Sequence, residues 1–94
     1  MPRREEHVAV LVMGADRVGI VAGVSSVLAE HGTNILDLTS TEMRDLFIMI
    51  MLVDVTRCKV DLQTLQVALK AKGDELGVNV SAQHEDLFRF MHRV

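Results

Sequence analysis

The residues best suited to chemistry lie in one short loop, Asp16-Arg17-Val18-Gly19-Ile20-Val21. The loop joins an apolar run to the start of a helical pattern. The first amides of a helix have no partner within it and carry the positive end of its dipole, so the place suits a carboxylate or a phosphate. Gly19 lets a ligand approach the backbone closely. Asp16 offers a counter-charge for an ammonium group, or a cap for the helix itself. Pattern alone favours a plain tight turn, with Gly19 placed for its conformation. Asn34 and Ile35 begin the next strand. In a βαβ unit that point lies at the opposite end of the sheet from the loop, unless a partner subunit brings the two together.

Other candidates for chemistry are poorer. Ser25, Ser26 and Cys58 have no evident base beside them in sequence, so none reads as a nucleophile. His7, His31, His84 and His92 show no metal-ligand spacing, although His84 and His92 could meet around the tail. They read as surface or interface histidines. No metal and no cofactor is expected.

The elements that must position the loop follow from hydrophobic periodicity. Residues 8–13, Val-Ala-Val-Leu-Val-Met, predict a buried strand, and Gly14 to Gly19 a loop. Ile20, Val24, Val27, Leu28 and His31 recur at helical spacing, and Gly32 supplies a left-handed exit. A second strand runs from about Asn34 to Met43, with Asp37, Thr39 and Thr41 on one side and Leu36 and Leu38 on the other. Arg44-Asp45 predicts a two-residue turn, and Leu46 to Val55 a central strand. Asp61 predicts the cap of a second helix with a stripe of Leu62, Leu65, Leu69 and Leu76, ended by Gly77. Val78, Val80 and Ala82 then alternate with Asn79, Ser81 and Gln83 as a half-buried strand. Residues 85–92 predict a short amphipathic C-terminal helix, and residues 1–6 a flexible N-terminus.

This order predicts an α+β, ferredoxin-like βαββαβ sandwich: a four-stranded antiparallel sheet with two helices on one face. Gly32-Thr33-Asn34-Ile35 and Gly77-Val78-Asn79-Val80 echo each other as exits from the two helices. The first and third strands are expected at the centre. Such a fold leaves one sheet face bare, yet the third strand is apolar on both sides. Leu46, Ile48, Ile50 and Leu52 point one way, and Phe47, Met49, Met51 and Val53 the other. Something must cover an apolar face of that size. The tail helix, through Leu87, Phe88 and Met91, and a second subunit fit it better than a greasy ligand.

Composition narrows the function. With 94 residues the chain is one domain, and its apolar fraction of 49% with 24% charged residues is that of an ordinary globular domain. No apolar run approaches a membrane span, and the start lacks a signal sequence. One cysteine permits no internal disulfide. A cytoplasmic location is expected. A net charge of -3 and the absence of Trp and Tyr argue against nucleic-acid binding.

Asp16-x-x-Gly19-Ile20-Val21, followed by Ala29-Glu30-His31-Gly32-Thr33-Asn34-Ile35, resembles the opening half of an ACT domain. Gly23-Val24-Ser25 and Asp37-Leu38 also fit, and the resemblance covers nearly the whole chain. It is nearest to small stand-alone bacterial ACT proteins, with related modules in the glycine-cleavage repressor and some phosphoserine phosphatases. The resemblance implies a non-enzymatic regulatory module that binds an amino acid at a homodimer interface. It implies that Asp16, Arg17, Val18, Gly19 and Ile20 form the ligand loop, with Asn34 and Ile35 as partner-side contacts. Two other readings stay open. One is an interaction module without a ligand. The other is an acylphosphatase-like hydrolase using Arg17 and Asn34, although the glycine-rich phosphate cradle of those enzymes is not matched.

Overall fold

The computed structural model describes residues 6–15 and 18–85. Its elements run β1 (His7–Ala15), α1 (Ile20–Glu30), β2 (Asn34–Met43), β3 (Leu46–Asp54), α2 (Leu62–Leu76) and β4 (Val78–His84). The sheet order is β2-β3-β1-β4, antiparallel throughout, so the first and third strands are central as the sequence predicts. Gly14 and Ala15 belong to β1 and not to the loop that follows. Glu6 is tied down rather than part of a loose arm. Its amide donates to Thr56 Oγ1 at 2.9 Å, and its carbonyl accepts from Val55 at 2.8 Å. Residues 1–5 and residues 86–92 of the expected tail helix lie outside the described residues.

Both helices cover one face. Val8, Val10 and Val12 of β1 and Phe47, Met49, Met51 and Val53 of β3 pack beneath Ile20, Val24 and Leu28 of α1 and Leu65 and Leu69 of α2. The methionines of β3 are therefore core residues, and no methionine-rich surface exists along that strand. Ala9, Leu11, Met13, Leu46, Ile48, Ile50 and Leu52 take the opposite face. The expected alternation in β2 is broken by a bulge between Ile35 and Asp37, with Leu36 as the extra residue. Past it, Asp37, Thr39 and Thr41 share the open face with Leu52, Ile50 and Ile48, their partners on β3.

The helix ends follow local chemistry. The Asp61 carboxylate accepts from the Thr64 amide at 2.9 Å and caps α2. Thr33 donates its hydroxyl to Leu28 O at 2.8 Å where α1 ends. Gly32 and Gly77 both take the left-handed conformation, at φ 80 and 77, and turn the chain out of each helix. His31 is the C-cap of α1, with Nδ1 at 2.7 Å from Val27 O, rather than a member of its apolar stripe. Gly73 lets α2 sit directly on β4, since a Cβ there would lie 2.8 Å from Val78 O.

Candidate functional site

The loop after β1 and the first turn of α1 form the candidate site. Its ceiling is Gly19, the N-cap of α1, with φ 92 and ψ 0. That left-handed conformation strains any residue with a Cβ. Space is not the constraint, because a Cβ at Gly19 would meet nothing within 4 Å. The first helical bond runs from the Gly23 amide to Gly19 O at 2.8 Å. Ahead of it, the amides of Ile20, Val21 and Ala22 have no acceptor among the described residues. A glycine has no side chain with which to cap them, so Gly19 itself leaves these donors unspent.

The sequence-predicted residues divide into three groups. Asp16 and Arg17 lie outside the described residues. Val18 is fully exposed, and the Ile20 side chain is buried in the core, so the loop offers a backbone amide at Ile20 and not an apolar wall. Asn34 and Ile35 lie at the other end of the sheet. Asn34 pairs with Asp54, which pairs with His7, whereas Ala15 at the loop end pairs with Leu46. The eight steps of β3 from Leu46 to Asp54 span about 26 Å. Within one protomer the two parts of the predicted site do not meet.

Periodicity did not disclose how bare β2 is. All ten of its residues are exposed, including Ile35, Leu36, Leu38 and Met43. The other edge strand, β4, buries Val78, Val80 and Ala82. An edge strand with free backbone groups and apolar side chains is a ready template for another chain. The signal in the sequence was the near absence of charge from Ile35 to Thr41, broken only by Asp37.

Two hollows lie away from this loop. An open groove of about 460 Å³ runs between Met13, the end of α2 and the start of β4. A hollow of about 310 Å³ lies at the far end, between Val8, Cys58, Leu62 and His84. Cys58 packs against the core, with its amide bonded to Val55 O at 3.0 Å. At the start of α2, Asp61 has a displaced acidity. Hydrogen bonds from the Thr64 hydroxyl and then the Thr64 amide hold its carboxyl below the ordinary 3.8.

A four-stranded antiparallel sheet in the order βαββαβ, with two helices on one face, defines a ferredoxin-like sandwich. Residues 6–83 match the ACT domain, and the chain belongs to that family of regulatory ligand-binding modules. It is 58% identical to a UPF0237 protein of Methanocaldococcus jannaschii, over 94% of this chain and 98% of that one. An ACT domain protein from Streptococcus pneumoniae superposes with a TM-score of 0.79 at 34% identity, covering 90% of this chain and 96% of that one. A putative glycine cleavage system transcriptional repressor shares the fold at 20% identity and a TM-score of 0.71, with 85% of this chain and 46% of that one covered.

Proposed function

We propose that this chain is a non-enzymatic regulatory module that binds an amino acid, or a similar small carboxylate, and works as a homodimer. The observation that carries the reading is the start of α1 at Gly19, which supplies no side-chain cap. Three amides without an acceptor among the described residues sit beside a glycine whose missing side chain leaves open space. A carboxylate would accept from those amides with the helix dipole behind them. Asp16 is the counter-charge for the ligand's ammonium group.

The exposed edge of β2 supplies the rest. Pairing β2 with its copy about a two-fold axis makes the new strand pair antiparallel. Asn34 of one protomer then lies beside Met43 of its partner, at the partner's loop end. This joins the two parts of the site that one protomer holds about 26 Å apart. The same edge also suits a docking module that binds no ligand. In that case association would be indifferent to amino acids.

A thermal-shift screen of the amino acids tests the proposal. A ligand at 100 times its Kd adds about 2.7 kcal/mol to stability. With the best ligand, calorimetry on Asp16→Asn should show binding weaker by roughly 1.5–3 kcal/mol, the worth of a charge-assisted hydrogen bond. A screen in which no small carboxylate raises the melting temperature rejects the ligand and leaves the docking module.

A further inference from the structure

We infer that Gln66 locks the outer edge of β4, so that copies of this chain pair only through β2; the β2 pair is that of the homodimer reading above, on which this rests. One bond sets the direction of every backbone group in the sheet. Glu6 O accepts from the Val55 amide, so Glu6 and Val55 face each other. Backbone groups alternate sides along an extended strand. Ala9, Leu11 and Met13 therefore face β4, and their partners Gln83, Ser81 and Asn79 face back. The amides and carbonyls of Val78, Val80 and Ala82 are left on the outer edge. On the other side Leu52, Ile50 and Ile48 face Asp37, Thr39 and Thr41, which turns Leu38, Ser40 and Glu42 outward from β2.

These two rows meet different neighbours. On β4, Gln66 Nε2 donates to Ala82 O at 2.7 Å. At Val78 the backbone of α2 itself stands close, since a Cβ on Gly73 would lie 2.8 Å from Val78 O. Two of the three outward carbonyls are thus taken or covered by α2. Only Val80, between them, borders the groove beside Lys70 and Asp74. An added strand bonds at every second residue, so it must displace Gln66 and press against Gly73. On β2 the Leu38 amide is held by the Asp37 carboxylate of the same strand at 2.9 Å. The carbonyls of Leu38, Ser40 and Glu42 meet no donor among the described residues, and no helix covers them.

The lock decides how far the chain assembles. β2 and β4 are the two edges of one antiparallel sheet and run in opposite directions. Their outward residues also share a face: Val78, Val80 and Ala82 lie on the core side, and Leu38, Ser40 and Glu42 pair with the core residues Met51, Met49 and Phe47. A copy moved sideways by one sheet width would therefore set its β2 antiparallel to β4 of the first, with all helices on one face. That contact is head-to-tail and does not close. A chain with one free edge stops at two copies. A chain with two free edges does not stop. Gln66 keeps this chain in the first class.

Sedimentation velocity of the full chain over a wide concentration range tests this. Gln66→Ala removes the donor and keeps a good helix former. Gln66→Met, of similar length and also without a donor, is the second variant should the first fold poorly. Gln66→Lys keeps a donor on a stem of similar length. Circular dichroism melting selects variants that stay folded at the assay temperature. The parent should never exceed twice the chain mass. Gln66→Ala should exceed it, by an amount that rises with concentration, and Gln66→Lys should behave as the parent. Adding Leu38→Asp to Gln66→Ala should hold the mass at a dimer or below, because the β2 edge is then charged. A donor-free variant that stays at or below a dimer overturns the lock. So does equal growth in Gln66→Lys, or growth beyond a dimer that survives Leu38→Asp. A parent that is monomeric throughout counts against the homodimer reading instead, and the contrast between Gln66→Ala and Gln66→Lys still decides the lock.

Discussion

The two halves of this fold leave their helices alike and enter them differently. Gly32 and Gly77 make the same left-handed exit, each two residues before an asparagine that starts or follows into a strand. At the entrances the likeness ends. The first turn of α2 is closed by its own chain through Asp61 and Thr64. That of α1 begins at a glycine, which supplies no side-chain cap. The strands that follow differ in the same sense. β4 is sealed by α2, with Gln66 donating to Ala82 O at 2.7 Å, and buries alternate residues. β2 buries none. The second half is closed by its own chain, whereas the first leaves its edge strand fully exposed. In a repeat built from one motif, the copy left unfinished is the one available for recognition.

The sharpest way to break the comparison is to place one charge in each edge strand. Val80→Asp puts an unpaired carboxylate among Leu69, Val12 and the underside of α2. Such a burial costs on the order of 3–5 kcal/mol. That is comparable with the whole stability of a small domain. We expect loss of cooperative unfolding in circular dichroism. Leu38→Asp changes a residue that is already exposed. We expect an unchanged melting transition, with self-association weakened by roughly 100-fold, the scale of a hot-spot residue, in analytical ultracentrifugation. Equal stability losses at the two sites would show that β2 is as much a part of the core as β4.

How far these differences can be read from the chain depends on what set them. Element order, the Asp61 cap and both glycine exits were legible, because each rests on local chemistry within four residues. The faces of β3 were not. Leu46–Val53 is apolar at every position, so periodicity cannot choose the buried side. Registry with β1 chooses it, through pairs such as Val12 with Met49. The bulge at Leu36 was equally hidden, since nothing in Asn34-Ile35-Leu36-Asp37 marks an extra residue. Within the site, the opposite placement of Gly19 and Asn34 followed from topology alone. The burial of Ile20 was also foreseeable, because it begins the stripe Ile20, Val24, Val27. The left-handed φ of Gly19 was not, because glycine is compatible with either sign.

That φ determines how the open entrance is probed. Gly19→Val would confuse two effects, since a β-branched residue at φ 92 strains the backbone by about 1–3 kcal/mol whatever it does to a ligand. Gly19→Asn separates them. Asparagine tolerates the left-handed region, and its first side-chain atom enters open space. We expect a stability loss below about 1 kcal/mol by denaturant titration, with ligand binding reduced by a larger factor because the side chain stands in front of the free amides. A stability loss that accounts for the whole change in affinity would make Gly19 a purely conformational residue.

The smallest expected effect distinguishes the two entrances by acid. The Asp61 carboxyl is held below its ordinary 3.8 in the folded protein by the Thr64 hydroxyl and amide. The folded state therefore binds this proton less readily than the unfolded state does. Its contribution is fully present above the unfolded value and is lost as pH falls through the lower, folded one. Asp61→Asn keeps an acceptor for the Thr64 amide and removes the titration. The stability difference between parent and variant should be flat above about pH 5 and shrink toward acid as the parent's carboxyl protonates. Gly19 has nothing to titrate at the start of α1. Amide exchange measured across this range should thus show the first turn of α2, at Thr64 and Leu65, loosening with acid relative to its own neutral state. The parent–variant comparison isolates that loosening from the general acid response of the domain. Should the Asp61→Asn protein lose protection at Thr64 along the same curve as the parent, the carboxylate is not what closes this entrance. The contrast between the two helix starts would then rest on the missing cap at Gly19 alone.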